Sequence, residues 1–98
     1  MEKEIFTLDS YRMLNQFKAF FEYCEKNGIE LTQDDKIYIK QSVLRVTRDI
    51  SVARAILHRY YLIYKDTMEN EPDVIRKQNM GRRKANRYLY TQSHNMLD

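Results

Sequence analysis

The sequence predicts an all-α fold, a compact single-domain bundle of about four helices, and three features of the chain carry that expectation. Two glycines and one proline in 98 residues leave little material for the tight turns of a sheet. The better helix formers, Lys, Arg, Glu, Gln, Leu, Met and Ala, are plentiful. Apolar residues recur at spacings of three and four, the period of a helix face. Ninety-eight residues suffice for one modest core and not for two, so residues 1–98 are read as one domain.

The first helix is expected over residues 8–27. Leu14, Phe17, Phe21 and Cys24 form an apolar stripe that Met13 and Phe20 widen, Asp9 or Thr7 can cap its start, and Asn27 with Gly28 supplies a left-handed stop. The second is expected over 33–49. Thr32 can accept a backbone N–H near Asp35, and Asp34 and Asp35 suit the positive end of the helix dipole. Ile39, Val43, Val46 and Ile50 share one face while Ile37 and Leu44 lie opposite, so this helix should touch two neighbours.

Ser51 is a plausible cap for a third helix, 51–67. Nothing between Lys36 and Lys65 is a strong breaker, so one long bent helix is the alternative to a break there. Val52, Ile56, Tyr60 and Ile63 make a stripe that Ala53, Leu57, Tyr61 and Tyr64 broaden until little polar face remains. Such a helix is central, or it carries a partner surface. "NEPD" predicts the start of a fourth helix, 72–91, with Pro72 in its first turn and Asn70 or Glu71 as cap. Val74, Gln78, Gly81, Ala85, Tyr88 and Leu89 fall on one side of it. The small pair Gly81 and Ala85 would admit another helix closely, while Gly81 in mid-helix costs about 1 kcal/mol relative to alanine and is expected to fray or kink the helix. The tail 92–98 is expected to be loosely held.

Charge is distributed in blocks that the net of +3 conceals. Residues 1–35 sum to −4 and residues 36–65 to +6; four acids then occupy 66–73, and six bases with no acid occupy 74–90. Blocks of one sign say more about partners than the total does. On the fourth helix Arg76, Arg83 and Arg87 fall within about forty degrees of one another in a stripe roughly 16 Å long, a spacing that can follow a phosphate backbone. Lys77, Arg82 and Lys84 lie in the same block, and Asn79, Asn86 and Tyr90 border it with hydrogen-bonding or stacking groups. Arginine outnumbers lysine there by four to two, and guanidinium forks grip phosphate through two parallel hydrogen bonds.

The primary expectation is therefore a small basic helical protein that binds nucleic acid, RNA or DNA, as an accessory or regulatory factor. Arg45, Arg48 and Arg54, with Arg59, extend the surface if the fold brings the first basic block beside the second. The alternative is a protein–protein interaction module, an adaptor or inhibitor of a larger nucleic-acid-processing protein, or a homo-oligomer, docking through Tyr60, Tyr61, Leu62 and Tyr64. The bland reading of the stripe is a solvated helix face whose arginines pair with the acidic first segment.

Other chemistry finds little support. A helix-turn-helix over 33–66 would lack the usual turn glycine in "RDIS" and would expose successive apolar residues in a groove. His58 and His94 stand far apart, Cys24 is the single cysteine, and no metal-ligand spacing occurs, so neither metal nor cofactor is expected. Cys24 lies on an apolar stripe without a base beside it, and Asp34 and Asp35 are explained as helix-start residues, so catalysis is not expected. A lone cysteine suits a reducing compartment. With no signal-like N-terminus in "MEKEIFTLDS" and no long apolar run, a cytoplasmic protein without a membrane association is the expectation.

Overall fold

In the computed structural model, which describes residues 8–95, four helices follow one another: α1 (Leu8–Lys26), α2 (Gln33–Val46), α3 (Ile50–Asn70) and α4 (Lys77–Asn95). Among the described residues there is no strand, and no helix is long and apolar enough to cross a membrane.

Short polar signals set the ends of these helices. After Lys26 the chain turns left-handed at Gly28 (φ 82°), where a side chain would be strained. The N–H of Gly28 donates to Glu25 O and that of Ile29 to Cys24 O, the paired bonds of a Schellman stop, and Ile29 is buried against the core as that motif favours. Thr32 caps α2: its Oγ1 accepts from Asp35 N at 3.1 Å, and Asp35 Oδ2 accepts from Thr32 N at 2.9 Å.

Several boundaries differ from expectation, among them the end of α3, which runs on to Asn70 instead of stopping at residue 67. α2 stops at Val46, where Thr47 adopts an extended backbone (φ −156°, ψ 154°), and the cap of α3 is Asp49 rather than Ser51, its Oδ1 accepting from Ser51 N and Val52 N. The break between two helices is real, and Ile50 opens α3 instead of closing α2. α4 begins at Lys77, five residues later than expected. Asp73 organises a turn instead of a helix start, since its side chain accepts from Ile75 N at 2.9 Å and its carbonyl from Arg76 N and Lys77 N. Val74 and Ile75 are consequently left exposed in the link. At the far end α4 runs through Asn95, so residues 92–95 are helical rather than loose, while 96–98 lie outside the described residues. Asp9 sits inside α1 and Thr7 lies outside the described residues.

Side-chain contacts give the helix directions. Gln16 meets Arg54, Tyr23 meets Tyr61 and Asn27 meets Lys65, a constant offset of 38 that makes α1 and α3 parallel. Tyr64 meets Gln78 while Tyr60 meets Asn86, so α3 and α4 form an antiparallel hairpin. Lys36 pairs with Glu25 and Lys40 lies over the Phe21 ring, so α2 returns along α1. The bundle is up-down-up-down, and α2 and α4 run the same way side by side.

α3 is the central helix, packed on all three others. One core unites Met13, Phe17, Phe20, Phe21 and Cys24 of α1, Ile29, Ile39 and Val43, the inner face of α3 from Ala53 to Tyr64, and Ala85 and Leu89 of α4. Leu14, expected in the stripe of α1, is half exposed, and Met13 takes its place. The Phe20 ring meets Tyr60 edge-on at 6.1 Å, which ties α1 to the middle of α3.

A candidate nucleic-acid interface along α4

The inner face of α4 is built for close approach. Gly81 and Ala85 are buried against α3, and a Cβ at Gly81 would stand 2.5 Å from Tyr64 Cδ1 and 3.0 Å from the Tyr64 carbonyl oxygen. Only glycine fits where the helix meets that backbone. The helix neither breaks nor frays at Gly81, because packing against Tyr64 outweighs its weak intrinsic propensity.

The first turns of α4 latch onto the α1–α2 link. Gln78 Nε2 donates to Gly28 O at 2.7 Å, while its Oε1 accepts from Glu30 N and from the Tyr64 hydroxyl at 2.8 Å. Arg82 completes the latch: Nε donates to Asp35 Oδ2 at 2.8 Å, Nη1 to Asn79 Oδ1 and Nη2 to Glu30 O. The guanidinium is thus committed inside the molecule. Arg82, expected among the phosphate-contacting residues, is a structural residue here, since its three bonded nitrogens hold α2 and the link to α4.

One residue further on, the situation reverses. Arg83, Lys84 and Arg87 are exposed, and Arg76, exposed just before the helix, lays its guanidinium beside Met80 Sδ at 3.9 Å. Ion pairs with described partners form at Lys36–Glu25 and Arg82–Asp35, and none involves Arg76, Arg83, Lys84 or Arg87. The bland expectation that the stripe pairs with the acidic first segment is therefore not what the described residues do. Lys77 is half-buried at the helix start.

At its C-terminal end the stripe carries two rings. Tyr90 is 55% exposed, and His94, one turn on, stacks on it with ring centroids 3.8 Å apart and planes 17° from parallel. His94 Nδ1 lies 2.9 Å from Tyr90 O. The Ser93 hydroxyl lies 3.1 Å from the same nitrogen, and in the tautomer protonated at Nδ1 the ring donates to the Tyr90 carbonyl, a bond that holds it in its stacked orientation. The sequence points to Tyr90, whereas His94, set aside as a metal ligand, falls in a tail expected to be loose. The i, i+4 spacing of the two rings was the available signal.

The first basic block is dispersed. On α2, Arg45 lies roughly 80° around the helix from Asp35, on the flank opposite Lys36 and Lys40, which face α1; it thus borders α4. Because α2 and α4 run the same way, Arg45 and Arg48 stand at the end of the bundle that holds Arg87 and Tyr90. Arg54 leaves this surface altogether: its Nη2 donates to Gln16 across the α1–α3 groove. Arg59 borders the other flank of α4 near Tyr88, whose phenol pKa is raised by burial against the opposing pull of that guanidinium.

The tyrosines offered as a docking surface are interior. Tyr60 and Tyr64 are fully buried, burial pushing the Tyr64 hydroxyl up to about 12 and the Tyr60 hydroxyl further still. Tyr61 is buried against Tyr23, with ring centroids 4.9 Å apart. These rings form the core because α3 is covered on three sides, and of the four residues Leu62 alone is exposed, at 44%.

Cys24 is buried, and the same desolvation lifts its thiol to about 12, the setting of an inert core cysteine. No group of three or more His, Cys, Asp or Glu side chains that could hold a metal ion occurs among the described residues. Comparison with protein-family models, curated proteins and solved structures found no match to this chain.

Proposed function

We propose that this protein binds nucleic acid through the outward face of α4, acting as a cytoplasmic accessory or regulatory factor by occupancy rather than by catalysis. The observation that carries the reading is that Arg76, Arg83, Lys84 and Arg87 are exposed and have no ion pair among the described residues. Exposed guanidinium groups with no carboxylate beside them are ready for phosphate, whereas Arg82, half-buried among acceptors, is not. Arg45 at the α2–α4 flank brings the set to about five cations, and counterion release then predicts a fall in affinity of several hundredfold between 50 and 200 mM salt.

The test is a gel shift at two salt concentrations with RNA, single-stranded DNA and duplex DNA, comparing the wild type with Arg76→Ala/Arg83→Ala/Arg87→Ala. The triple variant should bind every sequence more weakly and show a salt slope shallower by about two to three. A wild type that shifts no nucleic acid at low salt defeats the proposal.

A further inference from the structure

The arginine stripe ends in aromatic rings, and that ending bears on which form of nucleic acid it takes. Tyr90 follows Arg87 by three residues and Arg83 by seven, so the three side chains rise along one edge of α4 over roughly 10 Å. Tyr90 is held on one side by His94, stacked at 3.8 Å and pinned by its bond to Tyr90 O. No other described ring and no described cation stacks on Tyr90, which keeps 55% of its surface. An aromatic platform already supported from behind, beside unpaired guanidinium groups, matches the alternation of base and phosphate in a strand.

A duplex fits this surface poorly. Its bases are stacked on both faces and offer no free π-surface to Tyr90. A helix that reads the major groove must enter a channel about 12 Å wide, close to the full diameter of a helix with its side chains. α4 is flanked by α3 on one side and α2 on the other, so it does not stand proud of the bundle.

We infer that the ligand of this face is a single strand, with an unpaired base stacked on the Tyr90–His94 pair and its neighbouring phosphates on Arg83 and Arg87. The inference rests on the nucleic-acid reading proposed above. Stacking is blind to base identity, so the recognition is of strand form rather than sequence.

Fluorescence anisotropy with a labelled homopyrimidine oligonucleotide, which cannot pair with itself, and a blunt duplex of equal length tests it. The wild type should prefer the single strand. Tyr90→Ala should weaken single-strand binding on the order of tenfold and leave duplex binding and the salt slope unchanged, while Tyr90→Phe retains affinity. His94→Ala should give a smaller loss, since it removes the support and not the platform. Far-UV circular dichroism equal to wild type shows that each variant is folded. If Tyr90→Ala binds the single strand as the wild type does, or the duplex binds as tightly, the inference is overturned. The basic stripe then still stands provided Arg83→Ala/Arg87→Ala lowers the salt slope. If neither oligonucleotide binds at low salt, both readings fall together.

Discussion

The two halves of α4 are chemically alike and do opposite things. Its first turns carry Gln78, Asn79 and Arg82, and all three spend their polar groups inside the molecule, on Gly28, Glu30, Asp35, Tyr64 and one another. The second half carries Arg83, Arg87 and Tyr90, which face water, and His94, partly exposed, which stacks on Tyr90 and bonds within its own turn. The lesson is that a basic residue is defined by what stands within hydrogen-bond reach. Arg82 and Arg83 are neighbours in sequence, yet one staples the α1–α2 link to α4 and the other is exposed to water.

Alkaline pH should break most completely the core of α1 and α3 on which α4 rests. Burial raises the Tyr64 hydroxyl from its ordinary 10.0 to about 12, the Cys24 thiol from 9.0 to about 12, and the Tyr60 hydroxyl in the same direction. The folded protein then keeps protons that the unfolded chain sheds. Stability is intact below pH 9 and falls as pH rises from there through about 12. Absorbance at the phenolate band should register Tyr60 and Tyr64 only together with loss of helix by circular dichroism; ionisation of all tyrosines before unfolding would contradict the burial.

Removing the ring of Tyr64 comes next. Tyr64→Ala should cost about 3–5 kcal/mol in urea unfolding, because it empties a core site and leaves Gln78 Oε1 with one of its two donors, Glu30 N.

The sharpest comparison is between adjacent arginines. Arg82→Ala should cost about 2–3 kcal/mol, since it leaves the buried Asp35 carboxylate without its cation and Glu30 O with only the long 3.5 Å bond from the Tyr64 hydroxyl. Arg83→Ala should change stability by no more than about 0.5 kcal/mol and act on ligand binding alone. Equal effects of the two on unfolding would erase the distinction between the halves of α4.

Much of this fold was legible in the chain. Gly28 as a left-handed stop, Thr32 as a cap answering Asp35, and the small pair Gly81 and Ala85 at a helix crossing were all readable, because each signal is local and has one dominant physical cause. Other features were not. Pro72 and Asp73 read as a helix start, but Asp73 holds a turn and α4 begins at Lys77. Leu14 belonged to the right periodic stripe and still faces water, because the neighbours of α1 cover Met13 instead. Of the candidate site, Arg83, Lys84 and Arg87 could be placed outward from periodicity, whereas the capture of Arg82 and the departure of Arg54 toward Gln16 could not.

By itself the sequence determined that the chain is helical, where three of the four helices begin or end to within a few residues, and that positive charge concentrates near the C-terminus. Those properties depend on residues close in the chain, where periodicity, capping and left-handed turns act. Tertiary structure alone decided which tyrosines are core and which is surface, and which arginine finds a carboxylate. Those outcomes depend on partners on other elements of the fold: Phe20 for Tyr60 and Tyr23 for Tyr61, met when α1 packs on α3, and Asp35 and Glu30 for Arg82, 47 and 52 residues away, met only when α2 and α4 come to lie side by side.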